Sequence, residues 1–336
     1  MHMKAPAAIR QAYCVAAVII FLMPAVPDRS VGADKLRISY SGITVSNAML
    51  WVTREAKLFQ KNGLDVELLY LQTTLGQNAL IAGEVQLGVF SGSLMSAARI
   101  QGADNVMVVS FLNHPIYRLV VRPGINSVED LRGKRLGITR FGTVTDWNTR
   151  LLLSKLGLNP DKDVTIVQVG DVPILAAALV AGKSVDGAIL QTPYYQKAVA
   201  AGLKILANME EMNIPLQQTG IVTTERYIAK SPDMVRRVVK SVVEGIHFMR
   251  NHPEASKRTL GKYMQIRDEK ELEEPYEALR GFIQIKPYPS PEGFKTILTE
   301  LSKRSPAVKN ADPKDFVDIR FLEELDRSGF IDGLYR

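Results

Sequence analysis

Short apolar runs alternate with amphipathic stretches through the first two-thirds of the chain. Residues 36–40 have the pattern of a strand, and residues 48–60 repeat apolar side chains at helical spacing before a stop at Gly63. The alternation continues to about residue 216, after which the pattern stays helical apart from one more strand signal. Strands that alternate with helices predict parallel sheets in an α/β fold.

The same pattern gives a full set of expected elements. Strands are predicted over residues 36–40, 64–70, 85–90, 106–111, 116–121, 136–139, 164–169, 185–190, 203–206 and 220–223. Helices are predicted over residues 48–60, 75–82, 94–100, 144–156, 174–181, 194–201, 234–250, 253–263, 269–282, 291–302 and 320–327.

The elements fall into two similar βα blocks followed by a helical tail. The strand signal at residues 220–223 indicates that the chain returns to the first sheet before the tail begins. We therefore predict two lobes, each a mainly parallel sheet flanked by helices, with crossings near Pro123-Gly124 and near Pro215. The predicted bounds are residues 34–122 plus 217–336 for lobe 1, with the C-terminal helices, and residues 123–216 for lobe 2.

The first 33 residues have the layout of a secretory signal peptide. Lys4 and Arg10 precede an uncharged stretch at residues 11–27, and Val31 and Ala33 occupy the small-residue positions of a cut before Asp34. The stretch is shorter than the ~20 apolar residues that a membrane span needs. We expect export to the periplasm, and an uncleaved N-terminal anchor is the alternative.

Composition narrows the class of protein further. Hydrophobic residues make up 46% and charged residues 23%, which excludes a disordered or collagen-like chain. The net charge of +7 is scattered without a basic stripe, so we expect no nucleic-acid partner. The single cysteine, Cys14, lies in the predicted leader, which argues against cysteine, zinc–cysteine and iron–sulfur chemistry.

Polar or glycine-rich loops follow six predicted strands. In a parallel sheet such loops share the carboxyl edge, where open α/β folds bind ligands, and each precedes a helix whose free N–H groups suit a polar or anionic ligand. Plain helix capping is the alternative for any one loop, and the repetition favours a site. The loops are residues 41–47, 72–76, 91–93, 140–143, 170–171 and 191–193, the last being Gln191-Thr192-Pro193.

Arg140 is the strongest single candidate for a ligand-binding residue in these loops. A guanidinium at a strand end can clamp a carboxylate, sulfonate or phosphate through paired hydrogen bonds, and a solvated surface arginine is the alternative. Phe141 either stacks on a ligand ring or packs into the core, and packing is slightly favoured. Asp146 and Asp171 can accept from an amino or hydroxyl group of a ligand, although capping is the favoured role for Asp171.

Catalytic and metal motifs are missing from the sequence. It holds no Gly-x-Ser-x-Gly elbow, P-loop, Gly-x-Gly-x-x-Gly or His-Glu-x-x-His, and the histidines of the helical tail have no partner at ligand spacing. We expect no metal and no cofactor. One enzymatic alternative stays open, a hydrolase that uses Ser91 or Ser93 with His114 as base.

Four segments, in order and at suitable spacing, resemble one known family. They are residues 56–67 (AKLFQKNGLDVE), 79–86 (ALIAGEVQ), 128–137 (VEDLRGKRLG) and 176–188 (AAALVAGKSVDGA). With them the chain from residue 34 onward resembles the periplasmic solute-binding proteins of ABC importers, in the sulfonate/nitrate/taurine and NMT1/THI5-like group. The iron-dependent thiamine-precursor enzymes of this superfamily use a cysteine-rich site, which this chain lacks beyond residue 14.

The resemblance implies a type II periplasmic-binding fold, with the ligand held between two hinged lobes. One wall would carry Ser41, Ser46, Asn47, Thr73, Thr74, Gly92 and Ser93, and the other Gly142, Thr143, Asp171 and Gln191. To these we add Arg140, Phe141 and Thr192 from the loops above.

The resulting expectation is a binding protein and not an enzyme. It would be a monomer that captures a small anionic organic solute and delivers it to the permease and ATPase subunits of an ABC transporter. A ligand-sensing input domain is the remaining alternative, and the sequence does not identify the solute.

Overall fold

The computed structural model describes residue 2, residues 33–303, residue 308 and residues 311–336. The predicted signal peptide therefore lies outside the described residues, apart from positions 2 and 33. Within the described part of the chain, no helix is both long enough and apolar enough to cross a membrane.

The described strands and helices correspond closely to the predicted ones. The strands are β1 (Asp34–Tyr40), β2 (Leu64–Tyr70), β3 (Leu87–Phe90), β4 (Asn105–Leu112), β5 (Arg118–Val121), β6 (Arg135–Ile138), β7 (Thr165–Gln168), β8 (Gly187–Leu190), β9 (Lys204–Asn208) and β10 (Thr219–Thr224). The helices are α1 (Ala48–Glu55), α2 (Leu58–Lys61), α3 (Thr73–Ala82), α4 (Gly92–Ile100), α5 (Val144–Lys155), α6 (Val172–Ala181), α7 (Tyr194–Ala200), α8 (Glu225–Lys230), α9 (Pro232–Asn251), α10 (Pro253–Met264), α11 (Glu273–Phe282), α12 (Pro291–Ser302), α13 (Arg320–Arg327) and α14 (Phe330–Leu334). Short 3₁₀ turns cover Val45–Asn47, Glu129–Leu131, Met209–Met212, Glu269–Leu272 and Pro313–Phe316.

One predicted helix is divided, and two helices were not predicted. The helix expected over residues 48–60 is broken into α1 and α2 at Lys57, whose φ of 57° is left-handed. This turn lets Leu58 and Phe59 pack into the core below the sheet. The short helices α8 and α14 carry too few turns for a clear amphipathic pattern.

Two five-stranded mixed sheets, each flanked by helices, form the framework. The first has the strand order β2-β1-β3-β10-β4 and the second β7-β6-β8-β5-β9. In the first sheet β1 runs parallel to β2 and β3, and β10 runs antiparallel to β3 and β4. In the second, β6 runs parallel to β7 and β8, and β5 runs antiparallel to β8 and β9.

The antiparallel strand of each sheet is the one that the chain enters after crossing from the other sheet. The chain leaves β4 at its carboxyl end and begins β5, which runs antiparallel to its neighbours β8 and β9. It leaves β9 in the same way and begins β10. Both crossings therefore join the carboxyl edges of the two sheets, so these edges are brought to the same region of the molecule.

The predicted boundary of lobe 1 at residue 122 is wrong. Residues 116–121 were assigned to the first sheet, but β5 pairs with β8 and β9 in the second. The first crossing lies between Leu112 and Arg118, because an apolar run indicates a strand without indicating which sheet it joins. The second crossing lies between Asn208 and Thr219, an interval that contains Pro215.

The C-terminal helices pack on the first sheet and its helices. α9 contacts α1, α2 and β2, and α12 contacts α4. On α9 the side chains of Val235, Val238, Val242, Ile246 and Met249 recur at helical spacing and are fully buried. Each such burial contributes about 1.5–3 kcal/mol, which holds the tail against the sheet.

Candidate functional site

A cleft of about 910 Å³, part of it open to solvent, lies where the carboxyl edges of the two sheets meet. From the first sheet and its loops it is lined by Ser41, Gly42, Thr44, Ser46, Asn47, Tyr70, Leu71, Gln72, Thr73, Val89, Phe90, Ser91 and Thr219. From the second it is lined by Tyr117, Thr139, Arg140, Thr143, Val144, Thr145, Asp171, Val172, Ile189, Leu190 and Gln191. The arrangement follows from the topology, since every lining segment ends a strand, begins a helix or belongs to a crossing.

The loop after β1 is held in shape by its own hydrogen bonds. Asn47 Nδ2 donates to the carbonyl of Gly42 at 3.0 Å, and Thr73 Oγ1 donates to Ser41 Oγ at 3.0 Å. Gly42 has a φ of 105°, a conformation that other residues rarely adopt. These contacts fix the polar wall of the first sheet before any ligand arrives.

Three threonines shape the loop after β6. Thr139 Oγ1 lies 2.9 Å from Thr143 Oγ1 and 2.7 Å from Thr145 Oγ1. Thr143 Oγ1 also donates to the carbonyl of Arg140 at 2.7 Å. The cluster holds Arg140 next to the amino end of α5, a helix of 12 residues whose dipole is positive at this end.

Arg140 carries a positive charge that the described residues leave unpaired. Its Nε is buried and has no hydrogen-bond partner among them, and none of their carboxylates forms an ion pair with it. Asp146, the nearest acidic residue along the chain, pairs with Arg150 at 2.6 Å and accepts from the Gly142 backbone N–H at 2.9 Å. Asp146 therefore stabilises the loop, and it is not among the residues that line the cleft.

A second unpaired donor comes from Gln191, which is 2% exposed. Its Oε1 accepts a hydrogen bond of 2.7 Å from Ser46 Oγ, across the cleft. Its Nε2 is buried and finds no partner in the described part of the chain. A buried donor without a partner costs free energy, so this amide N–H is available to bind an acceptor group that enters the cleft.

Aromatic side chains form much of the apolar surface of the cleft. Burial raises the pKa of the Tyr117 phenol, so this residue is neutral at ordinary pH. Burial also raises the pKa of Tyr70, and the Asp171 carboxylate of the second sheet raises it further. Tyr70 lines the cleft from the first sheet and Asp171 from the second.

Eight of the predicted site residues line the cleft, namely Ser41, Ser46, Asn47, Thr73, Arg140, Thr143, Asp171 and Gln191. Six others do not line it, as far as the described residues show. They are Thr74, Gly92, Ser93, Phe141, Gly142 and Thr192.

Local packing explains why these six residues do not line the cleft. Thr74 and Gly142 are exposed, and Phe141 is 54% exposed instead of packed in the core as we favoured. Gly92 lies against Gln217 of the second crossing, whose carbonyl would be 2.5 Å from an added Cβ. Ser93 Oγ lies 3.1 Å from Ser91 Oγ, and Thr192 Oγ1 accepts from Gln196 Nε2 at 3.3 Å.

Three of the lining residues that we did not predict are the last residues of strands. Tyr70, Phe90 and Leu190 each end a strand that the pattern located correctly. Counting the final strand residue together with the following loop would have found them. Tyr117 and Thr219 belong to the crossings, and their position depends on how the two sheets are joined.

Among the described residues, none of the hydrogen bonds joins the serines of the loop after β3 to a basic side chain. Ser91 Oγ lies next to Ser93 Oγ and accepts from the Leu94 backbone N–H at 3.2 Å, as a helix cap does. His114 is exposed, and none of the hydrogen bonds among the described residues joins it to either serine. The geometry gives no support to the hydrolase alternative.

Fold and cleft define a structural class, the periplasmic-binding-protein fold, in which a cleft lies between two sheets. A structure of a protein from Bordetella bronchiseptica superposes with a TM-score of 0.75 at 16% identity, over 88% of this chain and 97% of that one. The periplasmic aliphatic sulphonate-binding protein SsuA of Escherichia coli superposes with a TM-score of 0.68 at 21% identity, over 84% and 97%. The fold class that the sequence predicts is confirmed.

The family follows from the sequence comparison. The NMT1/THI5-like family model matches residues 46–256, and the chain belongs to this family. A relative in Brucella abortus, named as a binding protein, is 23% identical over 69% of this chain and 72% of its own length. Another in Brachyspira hyodysenteriae, named as an ABC transporter periplasmic binding protein, is 27% identical over 74% of each chain.

The fold is not confined to binding proteins. A desulfurization enzyme, DSZB, superposes with a TM-score of 0.65 at 16% identity, over 88% of this chain and 99% of that one. Fold alone therefore does not decide between binding and catalysis, and the side chains of the cleft carry the argument.

Proposed function

We propose that this chain is an extracytoplasmic solute-binding protein that holds a small organic solute with an anionic group in the cleft. It would release the solute, chemically unchanged, to the permease of an ABC transporter. The observation that carries the proposal is the pair of unpartnered buried donors, Arg140 Nε and Gln191 Nε2, in one cleft.

These donors favour an acid group over a neutral one. A carboxylate or sulfonate offers several acceptor lone pairs, and hydrogen bonds to an ionised acceptor are roughly twice as strong as neutral ones. The amino end of α5 adds backbone N–H groups and a positive dipole beside Arg140. The charge, the amide and the helix end thus favour the same kind of ligand group.

Capture would involve both lobes, because both sheets contribute to the lining and the bond from Ser46 to Gln191 spans the cleft. The two crossings, 113–117 and 209–218, are the segments about which the lobes would hinge. The periplasmic location and the transporter partner rest on the predicted signal peptide and on the names of the relatives.

A screen of organic acids against the purified protein tests the proposal. A bound solute stabilises the folded state by an amount that grows with its concentration over Kd, so we expect a rise of several degrees in Tm for at least one acid. Mass spectrometry of the recovered solute checks that it is unchanged. A screen without any stabilising acid, or one in which the bound acid is converted to product, would contradict the proposed function.

A further inference from the structure

Two charged side chains line the cleft, and they have opposite signs. They are Arg140 and Asp171, both from the second sheet; the other lining residues are uncharged. Among the described residues neither side chain has a hydrogen bond or an ion pair, and the two do not reach the 4.0 Å that would make them a pair with each other. Within the described part of the chain, the cleft therefore presents one unpaired cation and one unpaired anion to a ligand.

The strand register places these two charges at the same edge of the second sheet. β6 and β7 are parallel neighbours with Ile138 opposite Gln168, and the ladder continues with a hydrogen bond of 3.2 Å from the Gly170 N–H to the Thr139 carbonyl. Arg140 and Asp171 follow in the loops just beyond the ends of β6 and β7. Both charges thus lie at one edge of one sheet, within reach of two groups on a single small molecule.

The carboxylate of Asp171 has no structural partner among the described residues. It occupies the position before α6, where a carboxylate commonly caps the helix, but its side chain makes no capping bond. Across the cleft it is near Tyr70, which is neutral and supplies no counter-charge. A solute with only an acid group would pair with Arg140, add a negative charge to the cleft that holds Asp171, and leave the Asp171 carboxylate without a counter-charge.

We propose that the solute is amphoteric: it carries an ammonium group for Asp171 in addition to the acid group bound by Arg140. This inference rests on the proposed function and narrows the class of solute to aminocarboxylates and aminosulfonates. Phe90, Tyr117 and Leu190 give the cleft an apolar surface for the body of such a molecule.

Matched pairs of acids test the inference, each pair sharing a skeleton and differing only in the amino group. Suitable pairs are L-phenylalanine with 3-phenylpropanoate, taurine with ethanesulfonate, and 4-aminobutanoate with butanoate. We expect the stabilising solutes to be the amino-bearing members, with Kd from calorimetry about tenfold or more below that of their partners. If the amino-free members bind as tightly or more tightly, the amphoteric inference is wrong while the proposed function stands. If no member of any pair binds, the result counts against the proposed function, and the inference falls with it.

Asp171→Asn separates the charge from the shape of the cleft. Asparagine has nearly the same volume, so we expect Kd for the amino-bearing solute to rise about tenfold or more and Kd for its amino-free partner to stay level or fall. Asp65→Asn makes the same change of charge on the exposed face of β2, away from the cleft, and should leave both values unchanged. Equal effects of Asp171→Asn on both members of a pair would overturn the inference.

Discussion

Ser46 and Gln191 lie 145 positions apart in the chain, and Ser46 Oγ donates a 2.7 Å hydrogen bond to Gln191 Oε1. Ser46 belongs to the loop after β1 in the first sheet, and Gln191 follows β8 in the second. Because the oxygen of the amide is occupied by Ser46, its nitrogen is left for the cleft. One contact thus joins the two walls and orients a donor.

Ser46→Ala should weaken solute binding. It removes the bond between the walls and leaves the buried Gln191 Oε1 without a donor, at a cost of about 1–3 kcal/mol in the closed arrangement. We expect Kd to rise about fivefold or more, measured by calorimetry with the best solute of the screen. Ser302→Ala, which removes an exposed hydroxyl on α12, is the matched control and should bind normally. An unchanged Kd for Ser46→Ala would show that the bond has no role in capture.

Arg140→Gln should affect binding more than stability. The change removes the free charge of the cleft and retains part of the side chain, so we expect Kd for an acid-bearing solute to rise about tenfold or more. The Tm of the empty protein should change little, since no ion pair among the described residues is lost. Arg140→Lys should recover part of the affinity. The control is Arg267→Gln on the exposed surface, and the expectation fails if both glutamine variants bind alike.

Glu274 of α11 connects the C-terminal helices to the second sheet. It accepts from Arg118 Nη1 at 2.9 Å and from Gln196 Nε2 at 3.0 Å, while Arg118 also lies 3.9 Å from the centre of the Tyr195 ring. Because this contact connects the C-terminal helices to the second sheet, we expect Glu274→Gln to weaken solute binding. The carboxylate is half-exposed, so the rise in Kd should be only about two- to fivefold. The difference from wild type should shrink at high salt, because screening weakens the wild-type pair. Glu277→Gln on the same helix, where the partner is Arg280, should have no effect, and a salt-independent loss would contradict this account.

Gly293 on α12 packs directly against the second crossing. An added Cβ would lie 2.3 Å from the Gln217 backbone nitrogen, a contact that only a backbone shift can relieve. Gly293→Ala should therefore lower the free energy of unfolding by about 1–3 kcal/mol and reduce Tm by several degrees. Gly281→Ala on α11 meets no atom within 4 Å and should be neutral or slightly stabilising. Thermal unfolding of the two variants compares them, and equal Tm values would refute the packing argument.

Asp186 connects β8 to β6 and should contribute to the pH dependence of stability. Hydrogen bonds from Arg135 lower the pKa of this carboxyl below its usual range, and its Oδ2 accepts from the Arg135 backbone N–H at 2.9 Å. A lowered pKa in the folded state stabilises the protein above about pH 4, and this contribution is lost as pH falls through the folded-state pKa. Asp186→Asn should be less stable than wild type at neutral pH, and the two Tm curves should converge toward low pH. Parallel curves would show that Asp186 does not couple folding to protonation.

The strands and the loops that follow them were predictable from the sequence because each depends on residues close together in the chain. Eight of the residues predicted in this way line the cleft, since a polar loop after a buried strand is a local signal. Local signals also explain the errors. Phe141 and Thr74 lie in the right loops, but the direction of a side chain within a loop depends on what packs against it.

By itself the sequence determined the α/β alternation, the family and the edge of the sheets at which a site would form, because periodicity and motifs depend on neighbouring residues. Only the tertiary structure decided that β5 joins the second sheet, that Ser46 meets Gln191, and that Arg140 and Asp171 line one cleft without partners among the described residues. These features depend on which strands pair and on what surrounds each polar atom, and both are set by contacts between residues far apart in the chain.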